Sequence, residues 1–138
     1  NTDTVVNAMA SGRIDVFAHG GNPSFPIDID AVAEAAAANN VLIEINNSSL
    51  TTSRTGSDKN CHVLAEAVGK MNGRLVFGSD AHIACNVGKF SACLALIKKI
   101  GFPRENVLSF SAHKTLHFLK AKNKTGLEGL EQFISDSH

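Results

Sequence analysis

Short apolar runs, separated by polar and glycine-bearing segments, recur along the chain at intervals of about thirty residues. They are Ile14 to Ala18, Val41 to Ile45, Leu75 to Phe77 and a weaker Val107-Leu108. Unbroken apolar character, rather than strict alternation, marks a strand covered on both faces. Helical segments lie around them. Thr2 or Asp3 can cap a first helix bearing Val5, Val6, Ala8 and Met9, which Ser11-Gly12 closes. Asp28 or Asp30 caps an alanine-rich run from Ala31 to Asn39, suited to close packing against a sheet. Ser57 caps a helix through Cys61, Leu64, Ala65 and Val68 that stops near Asn72-Gly73. From Lys89 to Ile100, Phe90, Cys93, Leu94 and Ile97 recur at helical spacing, and Gly101 ends the run. Ser111 caps a helix with Leu116, Phe118 and Leu119, and a short final helix carries Leu127, Leu130 and Phe133. A helix followed by four strand–helix units is the pattern of an α/β protein built from parallel βα units with right-handed crossovers. Four such strands suit a small open sheet or half of a barrel, within a single domain spanning residues 1–138.

Composition narrows the classes. With 43% apolar residues and thirteen basic against thirteen acidic side chains, nothing draws the chain to nucleic acid or an acidic membrane. Lys120, Lys122 and Lys124 read as a solvated helix face. No apolar stretch reaches membrane-spanning length, and no secretory signal opens the chain. Cys61, Cys85 and Cys93 are odd in number and lack CxxC spacing, which points to a reducing compartment and a cytoplasmic location. The first residue is Asn1 rather than Met, so a processed chain or a segment of something longer is expected.

The polar residues with chemical capability cluster at one place in each unit. His19, Asn46-Asn47 and Asp80/His82 each follow directly on a strand, at the edge where parallel α/β folds build their sites. If the backbone stays extended beyond Gly78, Asp80 and His82 share a face and offer oxygen and nitrogen ligands to a divalent metal. The other reading makes Asp80 a helix cap and His82 a loop residue. With His19 there are three candidate ligands, enough for one zinc completed by water and too few for a cluster. Arg54, on the loop after the second strand, offers a planar cation to a phosphate, and Asn46 and Asn47 offer amides to substrate or metal-bound water. Equally, Arg54 suits a surface loop and the asparagines suit turn chemistry. His113 and His117 are spaced for a metal but stand beside lysines without a Glu partner and read as surface, and His62 and His138 receive no role. No dinucleotide fingerprint, P-loop, nucleophile elbow or Cys/His nucleophile pair is present.

Taken together, Ala18-His19-Gly20-Gly21-Asn22-Pro23, Leu42-Ile43-Glu44-Ile45-Asn46-Asn47-Ser48-Ser49, Ser53-Arg54-x-Gly56-Ser57 and Gly78-Ser79-Asp80-Ala81-His82 resemble the polymerase and histidinol phosphatase (PHP) superfamily, in particular its small YcdX-type bacterial phosphatases. The likeness runs from Thr2 to about Phe133. It implies the C-terminal part of a distorted (βα)7 TIM-like barrel, a site for up to three zinc ions (manganese or iron being alternatives) and hydrolysis of a small phosphate monoester by metal-activated water. It matches His19, Asp80 and His82 to metal ligands, assigns Asp80 and His82 to catalysis, and sets Arg54 and Asn46 on the substrate side. The family's N-terminal histidines and bridging glutamate have no counterpart here. A partner is therefore expected, either the missing N-terminal half of the barrel or a second copy, and the fragment alone is expected to be inactive. The competing expectations are a non-catalytic PHP-like assembly module and a PHP-type nuclease, the latter opposed by the neutral charge balance.

Overall fold

The fold is taken from a computed structural model that describes residues 1–135, except the side chains of Glu131, Phe133 and Ser135; the Phe133 contact expected of the last helix and His138 lie outside the described residues. Helix α1 (Thr2–Ala10) precedes strand β1 (Val16–Phe17), helix α2 (Ile29–Ala38), strand β2 (Leu42–Asn46), helix α3 (Ser57–Lys70) and strand β3 (Leu75–Gly78). Helices α4 (Ser91–Ile100), α5 (Ala112–Ala121) and α6 (Glu128–Ser135) complete the chain, with short 3-10 turns around α4. The strands form one parallel sheet in the order β1-β2-β3. In register, Val16 faces Leu42 on one side of β2, while Glu44 faces Val76 and Asn46 faces Gly78 on the other. The protein is α/β, with helices alternating with parallel strands as the apolar pattern implies.

Because successive side chains of a strand point to opposite faces, β2 sorts its residues between two environments. Ile43 and Ile45, both fully buried, enter the main core with Val32, Ala33 and Ala36 of α2 and Leu64, Ala65 and Val68 of α3. The small alanines let α2 lie close. On the opposite face Leu42 packs with Leu108 and Phe118, and Val76 and Leu119 close this smaller cluster. That apolar cover stops at the N-terminal end of the strands. Further along the same face come Glu44, Asn46 and Gly78, so the chemistry sits beyond the apolar cover at the C-terminal edge.

Several local expectations change. The fourth strand shrinks to one parallel bridge between Leu75 and Val107. The Ser109 hydroxyl accepts from the Phe77 amide at 2.7 Å, taking the place of a carbonyl on a paired strand. The backbone then coils into a 3-10 turn, Leu108–Phe110. Val107 and Leu108 are still buried, on the two different clusters, which explains their strand-like apolar signal. Ser57 is not the cap of α3: Gly56 holds that position at φ 88, and Ser57 is the first helical residue, buried. Asp28 and Ser111 do cap, accepting from Ala31 and Lys114. The lysine cluster is partly engaged, since Lys122 donates to the Asn39 carbonyl and Lys124 pairs with Asp15 at 2.7 Å. Among the described residues no helix is long and apolar enough to cross a membrane.

The two ends of the packing scale give a test. Ile45→Ala, fully buried against α3, lowers the unfolding free energy in urea by about 2–5 kcal/mol. Val16→Ala, 43% exposed on the edge strand, changes it by no more than about 0.5–1 kcal/mol.

Candidate active site

The strand ends deliver their side chains through unusual backbone. Strand β1 ends at Phe17, and His19 follows at φ 57. Beyond it Gly21 lies against α3, where a Cβ would meet Cys61 Sγ at 2.5 Å, and Asn60 Nδ2 donates to the Gly21 carbonyl at 3.0 Å. Strand β3 ends at Gly78, and Asp80 then takes φ 53. The extended course that would put Asp80 and His82 on one face is therefore broken at Asp80. Arg54, on the loop after β2, takes φ 52. Among the described residues six non-glycines are left-handed; Asn40, Asn72 and Asn123 lie just past the C-termini of helices, and the other three are His19, Arg54 and Asp80. Left-handed backbone is common for Asn at helix ends and costly for Arg.

Those three strained residues touch. Arg54 Nη1 donates to Asp80 Oδ2 at 3.1 Å and to the hydroxyls of Ser49 and Ser53, while Arg54 Nη2 lies 3.4 Å from His19 Nε2. A guanidinium is thus held between an imidazole and a carboxylate drawn from two different strand ends. His82 Nε2 stands 3.9 Å from Asp80 Oδ1 at the rim, its side chain 89% exposed. The sequence-distant residues His19, Arg54, Asp80 and His82 therefore gather at the C-terminal edge.

Asn46 and Asn47 are placed otherwise. Asn46 is 2% exposed; its amide donates to Glu44 Oε1 and its carbonyl accepts from the Ser49 amide and hydroxyl. Asn47 Oδ1 accepts from the Ala92 and Cys93 amides, so it caps α4 from a distance. That disposes of Asp80 as a helix cap: the turn Ala84–Asn86 has Ile83 before it and α4 has Phe90, neither with a side-chain cap of its own. His113 and His117 are exposed on α5.

Glu44 is the residue that pattern reading passed over. It occupies the middle of β2, receives the His19 backbone N–H at Oε2 (3.1 Å) and the Asn46 amide at Oε1. Gly78 lies directly alongside, and a Cβ there would overlap Glu44 Oε1. The available signal was a carboxylate inside the run Val41-Leu42-Ile43-Glu44-Ile45, where an ionisable side chain has no business without partners.

Two cavities of about 360 Å³ flank the cluster. One is polar, with Ser48, Thr51, Thr52 and Lys89 beside Asp80 and His82. The other is apolar, with Val5, Phe17, Phe25 and Ile27 beside His19. A larger one of about 550 Å³, between the C-terminal ends of α3 and α4, holds none of these residues.

As a metal site the donor set has the right chemistry and too few members. An imidazole nitrogen and a carboxylate face one positive charge, but that charge belongs to Arg54. Among the described residues no three His, Cys, Asp or Glu side chains come together closely enough to hold a metal ion.

The chain is similar to curated bacterial proteins named as probable phosphatases. It is 44% identical over 97% of its length to a probable phosphatase of Shewanella loihica and 44% identical over 94% to one of Yersinia enterocolitica. Against a probable phosphatase of Shewanella sediminis it is 47% identical over 96%. It spans about half of these relatives, 54%, 53% and 53% of their respective lengths. No protein-family model matches the chain.

The thiols take no part in the cluster and their environments say why. All three are free. Burial, and then the charges of Glu44 and Asp58, push Cys61 up to about 11. Burial, with Cys61 close by, pushes Cys93 up to about 12, and its Sγ donates to the Ile45 carbonyl. Raised values keep both as thiols throughout the neutral range, and the thiolate is the reactive form. In native protein at pH about 8, a disulfide reagent therefore titrates one thiol, the exposed Cys85, rapidly, and the other two only after unfolding. Fast labelling of two or more without unfolding contradicts this.

Proposed function

We propose that the chain is part of a metal-dependent phosphoesterase of the PHP superfamily, of the YcdX type, that hydrolyses a phosphate monoester. Its parallel sheet would form the C-terminal portion of a distorted (βα)7 TIM-like barrel. The observation that carries the reading is the charge centre at the strand ends, where Arg54 is braced between His19 and Asp80 with His82 at the rim. The names of relatives 44–47% identical over most of the chain support it as well.

In this reading His19, Asp80 and His82 hold metal, with zinc first and manganese or iron as alternatives. The other ligands come from a segment beyond this chain or from a second copy. The unpaired outer edge of β1, with Val16 exposed there and Phe25 exposed nearby, is a natural joining surface for either. A bound divalent cation supplies Lewis-acid polarisation and water of lowered pKa. The chain's own residues bind and orient. The Arg54 fork matches two phosphoryl oxygens, and a guanidinium keeps its charge at any working pH. Asp80 steadies that fork on the protein side. His82, exposed at the rim beside Asp80, contributes its ligand from the open side of the cluster. Asn46, buried and away from substrate, acts at one remove through the bonds it makes to Glu44 and Ser49.

The test is hydrolysis of 4-nitrophenyl phosphate by the intact protein carrying this chain, with zinc or manganese supplied. Arg54→Ala lowers kcat/KM by about 10²–10³-fold, the usual effect of removing a donor aimed at developing charge, and His82→Ala abolishes metal-dependent turnover. No metal-dependent hydrolysis, or unchanged rates in both variants, overturns the reading.

A further inference from the structure

Glu44 is the acidic residue of the central strand, and its side chain is only 14% exposed. Its two oxygens are used in different directions. Oε1 accepts from Asn46 Nδ2 at 3.3 Å, on the same strand face. Oε2 accepts from the His19 backbone N–H at 3.1 Å, across 25 residues of chain, at the point where the backbone is left-handed. The same oxygen lies 3.4 Å from His19 Nδ1. That nitrogen is shielded from water and makes no aligned hydrogen bond to any group. Its nearest charged neighbour is therefore the Glu44 carboxylate.

The opposite side of the ring supplies an independent constraint. His19 Nε2 faces Arg54 Nη2 at 3.4 Å. A guanidinium carries five donors and no acceptor, so the nitrogen opposite it presents a lone pair. In the neutral imidazole the hydrogen is then on Nδ1, the atom turned toward Glu44. A carboxylate on one side and a cation on the other thus select the same tautomer. We infer that Glu44 is the positioning residue for His19, holding its backbone turn and imidazole tautomer so that Nε2 offers its lone pair to the site. A carboxylate behind a histidine commonly acts this way, setting ring orientation and the basicity of the far nitrogen. The room for it is reserved by Gly78, opposite Asn46 on β3, since any side chain there would displace Oε1.

The inference rests on His19 belonging to the phosphoesterase site, but its test does not need activity. Multiple-bond ¹⁵N–¹H NMR of the labelled 138-residue chain, at pH about 8 where imidazoles are neutral, reads the tautomer directly, and loss of the signals in His19→Gln assigns them. The wild type is expected to show His19 as the Nδ1–H form. Glu44→Gln keeps the shape but replaces one of the two acceptor oxygens by an NH2 donor and removes the charge facing Nδ1, so the tautomer becomes mixed; Glu44→Asp restores the Nδ1–H form in part. Gly78→Ala, which pushes the carboxylate aside without touching its charge, shifts the tautomer as well. An Nε2–H form in the wild type overturns the inference, as does a folded Glu44→Gln protein with unchanged His19 signals. An Nδ1–H wild type, together with no metal-dependent hydrolysis by the intact protein carrying this chain, upholds the inference and removes the functional reading instead.

Discussion

The pairing of β2 on both sides is the constraint from which the site follows. Held by β1 on one edge and β3 on the other, β2 cannot rotate or slip, because a one-residue shift would turn Ile43 and Ile45 out of the core. The same registration sends Leu42, Glu44 and Asn46 to the other face and sets Gly78 beside the Glu44 carboxylate. Burial of two isoleucines, worth about 2–3 kcal/mol each, thereby fixes the position of a carboxylate that burial alone would oppose. The carboxylate in turn anchors the turn after β1, through the His19 amide. Apolar packing on one side of the sheet thus orders polar chemistry on the other.

Strain is concentrated where that chemistry converges. His19, Arg54 and Asp80 each adopt a left-handed backbone that costs non-glycine residues about 1–3 kcal/mol. Such conformations persist only when several contacts determine them together. Here Asp80 and His19 are tied through one guanidinium, which is also held by Ser49 and Ser53, and Ser49 is held in turn by Asn46. The three asparagines with similar φ values do ordinary work at helix ends and belong to no such network. The contrast separates turn chemistry from a strained centre more sharply than any motif does.

Much of this was legible from residue order. The apolar runs at residues 14, 41 and 75 named the three strands, and the polar clusters after them named the edge where side chains meet. His19, Asp80 and His82 were visible as candidates because they follow directly on strand ends in separate units, and Arg54 as a cation on the loop after the second strand, although each also had an ordinary loop or cap reading. The run Val107-Leu108 misled, since both residues are buried like strand residues while a serine hydroxyl replaces the ladder. Glu44 was passed over because, read one strand at a time, a single acid in an apolar run has no visible partner. Asn46 is its one near neighbour in sequence, while His19, which it anchors, and Gly78, which leaves it room, lie 25 residues before it and 34 after it.

What the sequence determined by itself was periodic and local: which segments are strands or helices, which caps begin α2 and α5, and which edge of the sheet carries reactive side chains. These follow from interactions within a few residues and from the alternation of apolar and polar positions. Only the tertiary structure decided that a guanidinium bridges His19 and Asp80, that Asn47 caps α4 rather than facing a ligand, and that Glu44 stands behind the histidine. The physical reason is that hydrogen bonds between distant segments depend on strand register and left-handed turns, and neither leaves a periodic trace in the order of residues.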